Sequence, residues 1–243
     1  MSTLTQGLRE TFAPRRIIAE IVTLAQREII LLAAMILATV VSFYFGKDFS
    51  IYSWISLAVG ISTALNLILI DRGRLTNYFW GFISNATWLV MALQNHLIGD
   101  IASQTFYFVM QFVGIVAWQK QLTAEATTEV KSRKLTSAQV LLVLLGTVAI
   151  YLTVVFVSHK ANGNQIWLDA TLLPLGIVGQ ILMTYGYRSQ WVAWIALNAI
   201  NVVVWYNQLH AGGTAASSML VLQIVMLVNS LYGAYVWSKN TLD

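Results

Sequence analysis

Cysteine is absent from the 243 residues, so neither a disulfide framework nor a thiolate metal site can be built. Charged residues make up only 10% of the chain, against roughly 25% in ordinary soluble domains. Proline occurs twice. The three histidines, His96, His159 and His210, fall at the ends of apolar runs or in loops, which argues against a histidine metal or redox centre inside a membrane. There is no Ser–His–Asp set, no HExxH motif, no paired carboxylates and no phosphate-cradling glycine loop. Hydrolysis and group transfer need such groups. The expectation is a protein that is not an enzyme and carries no metal or cofactor.

What is present points to a bilayer. Hydrophobic residues make up 58% of the chain, and the mean hydropathy is +0.69. Nine Trp and ten Tyr suit a protein that needs interface anchors and stacking surfaces. The calculated pI near 9.4 comes from loop Lys and Arg that set topology, and no nucleic-acid partner is expected. Spans need about 20 largely apolar residues. Eight candidates occur, at 28–46, 54–71, 77–97, 101–119, 138–158, 167–186, 190–209 and 216–237. With both termini cytoplasmic, twelve of the fourteen Lys and Arg lie inside and only Lys47 and Lys160 lie outside. The segment Leu4 to Ile21 reads as one short amphipathic helix on the inner surface. The loop from Gln119 to Thr136 reads as a solvated cytoplasmic connector.

An internal repeat organises the spans. Gln104, Gly114 and Trp118 recur as Gln223, Gly233 and Trp237 at identical spacing, and Asn85 and Asn95 recur as Asn198 and Gln208. The turns before those helices carry Arg74 and Arg188. Each repeat has three spans, an odd number, so a single span between them makes the two parallel. The expected fold is an all-α membrane protein of eight transmembrane helices: two parallel three-helix repeats joined by a linker helix, plus one extra N-terminal helix. The divisions are 1–50 (N-terminal segment and extra helix), 51–119 (first repeat), 120–160 (loop and linker helix) and 161–238 (second repeat).

The stretch WVAWIALNAINVVVWYNQLH at 191–210 sets the candidate site. Trp194, Asn198, Asn201, Trp205 and Gln208 share one stripe of a helix, while Val192, Ala196, Ala199, Ile200 and Val203 lie opposite. Carboxamides at mid-span need partners, which in hydrocarbon are protein, trapped water or substrate. Asn85 and Trp88 lie on one face of the third span with Tyr78 and Gly81, and Gln104, Tyr107 and Gln111 follow helical spacing in the fourth. Gln180 lies in the inner half of the sixth span, whose mid-span Pro174 is a candidate hinge. The candidate substrate-binding set is therefore Asn85, Trp88, Gln104, Tyr107, Gln111, Gln180, Trp194, Asn198, Asn201 and Trp205. Trp80, Trp118 and Trp237 read as interface anchors. No charged residue lies near the centre of any span, so the proton or sodium handle usual in coupled transport is missing.

The runs NYFWGFISNATW at 77–88 and QILMTYGYRSQWVAWIALNAINVVVW at 180–205, with Gln104, Gln111, Gly114 and Trp118, resemble the bacterial nicotinamide riboside transporters, the PnuC family, over about residues 51–238. The resemblance implies a SWEET-like fold in the bacterial inner membrane and uptake of nicotinamide riboside by facilitated diffusion. It also implies alternating access between two three-helix bundles and a cytoplasmic kinase that traps the product, and it leaves a homo-oligomer open. The riboside has a cationic ring that Trp faces can stack with a cation–π contribution of roughly 0.5–2 kcal/mol. Its carboxamide and ribose match Asn and Gln in donor and acceptor sense. No cation lies at mid-span to favour a phosphorylated form. The alternatives are another small vitamin such as thiamine, or an ion-coupled solute transporter.

Overall fold

The computed structural model describes residues 2–47, 49–94, 98–160, 166–210 and 216–240. Asn95 and His96 lie outside the described residues. The described chain is all-helical apart from one isolated β-bridge. In order the helices are α1 (Thr3–Thr11), α2 (Pro14–Val22), α3 (Gln26–Gly46), α4 (Ile51–Asp71), α5 (Asn77–Gln94), α6 (Ile98–Glu125), α7 (Ser137–Lys160), α8 (Ile166–Thr184), α9 (Gln190–His210) and α10 (Ala216–Lys239). Among the described residues four stretches, Gln26–Gly46, Ile51–Asp71, Ser137–Phe156 and Leu220–Lys239, are long and apolar enough by themselves to cross a membrane.

The N-terminal segment forms two helices rather than one. Pro14 starts α2; it has no N–H to continue α1 and biases the residue before it away from helical geometry. Nor does the segment lie free. Gly7 of α1 sits against Ile115 and Gln119 of α6, where an added Cβ would come within 2.6 Å of Ile115 Cγ2. Phe12 packs on Phe79 and Phe82 of α5, with ring centroids 5.7 and 5.6 Å away. α6 also runs six residues beyond its expected end at 119, to Glu125, and α1 packs against it.

The chain divides into two compact units, 1–131 and 132–243. In the first, α3 packs on α4, α4 on α5 and α5 on α6. In the second, α7 packs on α8, α8 on α9 and α9 on α10. Helix α7 leaves Leu141, Leu142, Leu144 and Leu145 exposed on the protein's own surface, as suits a helix bathed in lipid.

The connector after α6 is not a solvated loop. In the first unit Val130 N donates to Gly73 O at 2.8 Å, gripping the α4–α5 turn. In the second, Arg133 N donates to Gly186 O at 2.8 Å and Arg188 N donates to Arg133 O at 3.1 Å, gripping the α8–α9 turn. Both glycines have positive φ, 66° and 73°. They stand 113 residues apart, the same offset as Asn85 and Asn198. Solvation was the wrong expectation because the loop's backbone, together with the Glu129 side chain, contacts the turns between helices.

Candidate functional site

Aromatic pairs set the rotation of the site helices. Tyr78 of α5 meets Trp118 of α6 edge to face at 5.2 Å, and Trp191 of α9 meets Trp237 of α10 in the same way at 6.2 Å. Trp118 and Trp237 are buried, not exposed at the membrane surface, so the interface-anchor expectation fails for both. Trp80 is half-buried, with its indole nitrogen shielded and lacking a hydrogen-bond partner. Spacing alone cannot separate a Trp that faces lipid headgroups from one that faces the next helix.

With α9 so placed, Asn198 is buried, Trp194, Asn201 and Trp205 are half-buried, and Val192 and Val203 are exposed. Asn198 Nδ2 donates to Ser230 Oγ of α10 at 2.8 Å, while its Oδ1 is buried without a hydrogen-bond partner. Trp194 lies against Gly179 of α8. Gln180, one residue on, is buried with Nε2 unpartnered, and Gln223 of α10 is buried with Oε1 unpartnered. Pro174 is buried within α8, which continues on both sides of it.

In the first unit the equivalent positions hold different residues. Gly81 stands where α9 has Trp194, and Asn66 stands where α8 has Gly179. The space opened by Gly81 is taken by Gln111 and Asn66, whose polar ends would lie 2.7 and 3.0 Å from an added Cβ. Gln111 is buried with Oε1 unpartnered; Asn85 is half-buried with a shielded, unpartnered Nδ2. Gln104 is buried, and Tyr107 and Trp88 are half-buried.

Other residues hold these helices together, and the spacing arguments did not single them out. Thr63 and Ser84 share a hydrogen bond of 2.7 Å, and Asn66 Nδ2 donates to Asn77 O at 2.8 Å, joining α4 to α5. Asn85, Gln111, Gln180 and Asn198 thus each keep an unused amide atom, while Thr63, Ser84 and Asn66 make the α4–α5 contacts. In an apolar interior such an unmet group costs several kcal/mol unless water or a guest meets it.

A second polar feature lies at the first unit's basic end. Glu20 of α2 is buried, pairs with Arg16 at 2.7 Å and accepts from Thr76 N at 3.0 Å in the α4–α5 turn. Buried Glu28 pairs with Arg72 at 3.5 Å, and Glu129 pairs with Arg72 at 2.9 Å and Arg74 at 2.7 Å. A cavity of about 500 Å³ opens beside them, lined by Arg16, Glu20, Thr23, Arg74, Gln119 and Thr123 among others. Partners so far apart in sequence gave no local signal. No group of three or more acidic or histidine side chains that could hold a metal occurs among the described residues.

Long apolar helices with amides turned into their packing fit a multi-pass membrane protein. The chain belongs to the family described as nicotinamide mononucleotide transporters, whose profile matches residues 53–239. It is 30% identical over 204 residues to the nicotinamide riboside transporter PnuC of Neisseria mucosa, covering 82% of this chain and 76% of that one. The Haemophilus influenzae protein of the same name is 29% identical over 217 residues, with 87% and 89% covered. A crystal structure of the vitamin B3 transporter PnuC superposes with a TM-score of 0.75 at 29% identity, covering 89% of this chain and 92% of the other. These relatives are transporters, not enzymes.

Proposed function

We propose that the protein takes up nicotinamide riboside across the bacterial inner membrane by facilitated diffusion, with alternating access carried by the two repeats. The observation that carries this reading is that four of the candidate-site amides have a buried atom without a partner: Asn85 Nδ2, Gln111 Oε1, Gln180 Nε2 and Asn198 Oδ1. Donors and acceptors both occur among them, as a ligand with a carboxamide and a ribose requires. Gln104, Tyr107, Trp88, Trp194, Asn201 and Trp205 complete the proposed binding set. The arrangement proposed around it is SWEET-like: eight spans as two three-helix repeats, a linker helix and an extra first helix, with both termini cytoplasmic. A cytoplasmic kinase would trap the product.

The riboside, rather than the mononucleotide of the family description, fits the charge pattern. No Lys or Arg stands at mid-span, and Arg16, Arg72 and Arg74 at the basic end are all paired with carboxylates. The names of the relatives from Neisseria mucosa and Haemophilus influenzae support the same choice. Calorimetric titration of the purified protein with nicotinamide riboside, nicotinamide mononucleotide and thiamine tests the reading. Riboside should bind, with the other two at least tenfold weaker. Tighter binding of the mononucleotide or of thiamine would overturn the substrate.

A further inference from the structure

Asn198 and Ser230 face each other in the arrangement that satisfies both of the serine's hydrogen bonds. The Ser230 hydroxyl has a single proton, which it donates to Met226 O at 2.9 Å within α10. While that bond is made the oxygen accepts from Asn198, whose Nδ2 lies 2.8 Å from it. Turning the amide over would require the Ser230 proton to leave Met226 O for Asn198 Oδ1, giving up the hydrogen bond within α10. Both residues are buried, at 2% and 3% exposure, so water does not relieve the wrong orientation. The result is a buried carbonyl, Asn198 Oδ1, held in this direction by the two serine hydrogen bonds and lacking a donor. The first unit has no such lock. Gln111 stands where α10 has Ser230, and on Asn85 it is the amide nitrogen that is left unpartnered.

We infer that Ser230 is a positioning residue for substrate selection: it holds Asn198 as a hydrogen-bond acceptor, so the site takes an aromatic ring bearing a neutral carboxamide and rejects the same ring bearing a carboxylate. This rests on the riboside reading and deepens it. Trp194 places the ring. It lies one helical turn before Asn198 on the same stripe, about 6 Å along the axis, and Gly179 backs its indole. A ring stacked on Trp194 carries its substituent within reach of Asn198. A carboxamide N–H satisfies Oδ1. A carboxylate brings only lone pairs, leaves Oδ1 unmet and puts negative charge against it. Sites that require a hydrogen bond discriminate strongly against analogues that cannot make it.

The test compares nicotinamide riboside with nicotinic acid riboside, its carboxylate analogue, by calorimetric titration of the purified full chain. The variants are Ser230→Ala, Ser230→Cys and Ser230→Thr, with the melting temperature of each recorded. The unaltered protein should favour the carboxamide by at least tenfold. Ser230→Ala frees the amide to turn and should lower that preference about tenfold, mainly by admitting the carboxylate. Ser230→Cys, similar in size but a weak acceptor, should act in the same direction and serves if the alanine variant does not fold. Ser230→Thr keeps the hydroxyl and should restore the preference. A purely structural role would lower the melting temperature or weaken both ligands equally, and an unmoved ratio in the Ala and Cys variants overturns the inference. If the unaltered protein binds both ribosides equally, the inference falls while the riboside reading stands. If it binds neither, both fall.

Discussion

The indole of Trp194 lies face-on against Gly179: a Cβ built on that glycine would come 2.9–3.1 Å from Cε2, Cδ2 and Cζ2 of the ring. Those three atoms surround the fused bond, so the glycine backs the ring's flat surface rather than its edge. The first unit solves the same contact the other way, with the small residue Gly81 on α5 and the polar Asn66 on α4. One half therefore offers an aromatic face where the other offers amides.

Gly179→Ala should displace Trp194 at a cost of roughly 1–3 kcal/mol, the usual penalty for adding a methyl to a filled contact. Riboside affinity should fall about tenfold or more, with a shift in tryptophan emission. Unchanged affinity would mean that Trp194 does not hold the ring.

Asn198→Leu keeps an apolar helix of similar volume but removes both the acceptor and the donor to Ser230. Binding should weaken by roughly 1–3 kcal/mol. Val203→Ala, on the exposed side of α9, should leave affinity nearly unchanged. Normal binding with a lowered melting temperature in Asn198→Leu would make the stripe helix glue.

Gly73→Ala should destabilise the first unit by roughly 1–3 kcal/mol through left-handed strain alone. The added Cβ would also come 2.5 Å from Val130 O, a backbone atom that cannot swing aside. Thermal melting in detergent checks this, and no change in melting temperature would show that the loop does not grip the turn.

Glu20→Gln should loosen α2 from the α4–α5 turn, at a cost of roughly 1–3 kcal/mol. It removes the charge paired with Arg16 and weakens the acceptor for Thr76 N. Limited proteolysis should then cut the first 25 residues faster than in the unaltered protein. Equal rates would show that Glu20 does not anchor the segment.

Uptake should need only a substrate gradient, because no carboxylate stands at mid-span to carry a coupling ion. Proteoliposomes loaded with a trapping kinase and ATP should accumulate labelled riboside with no proton or sodium gradient. A strict requirement for either ion would favour a coupled mechanism.

Length and polarity were legible from residue order alone, because both are local. The helices α3 to α10 follow the apolar runs to within a few residues at most ends, and the stripe on α9 follows from 3.6-residue periodicity. The repeat was legible too, since equal spacing needs no coordinates. Which way each polar atom faces was not. Whether Trp118 meets lipid or Tyr78, and which end of the Asn198 amide is left over, depends on helix rotation and on a hydroxyl 32 residues away. The pairing of Glu20 with Thr76 and the gripping of Gly73 and Gly186 by one loop likewise join residues far apart in the chain. Periodicity reports the face of a helix; only packing decides what stands opposite that face, and hydrogen bonds are settled atom by atom there.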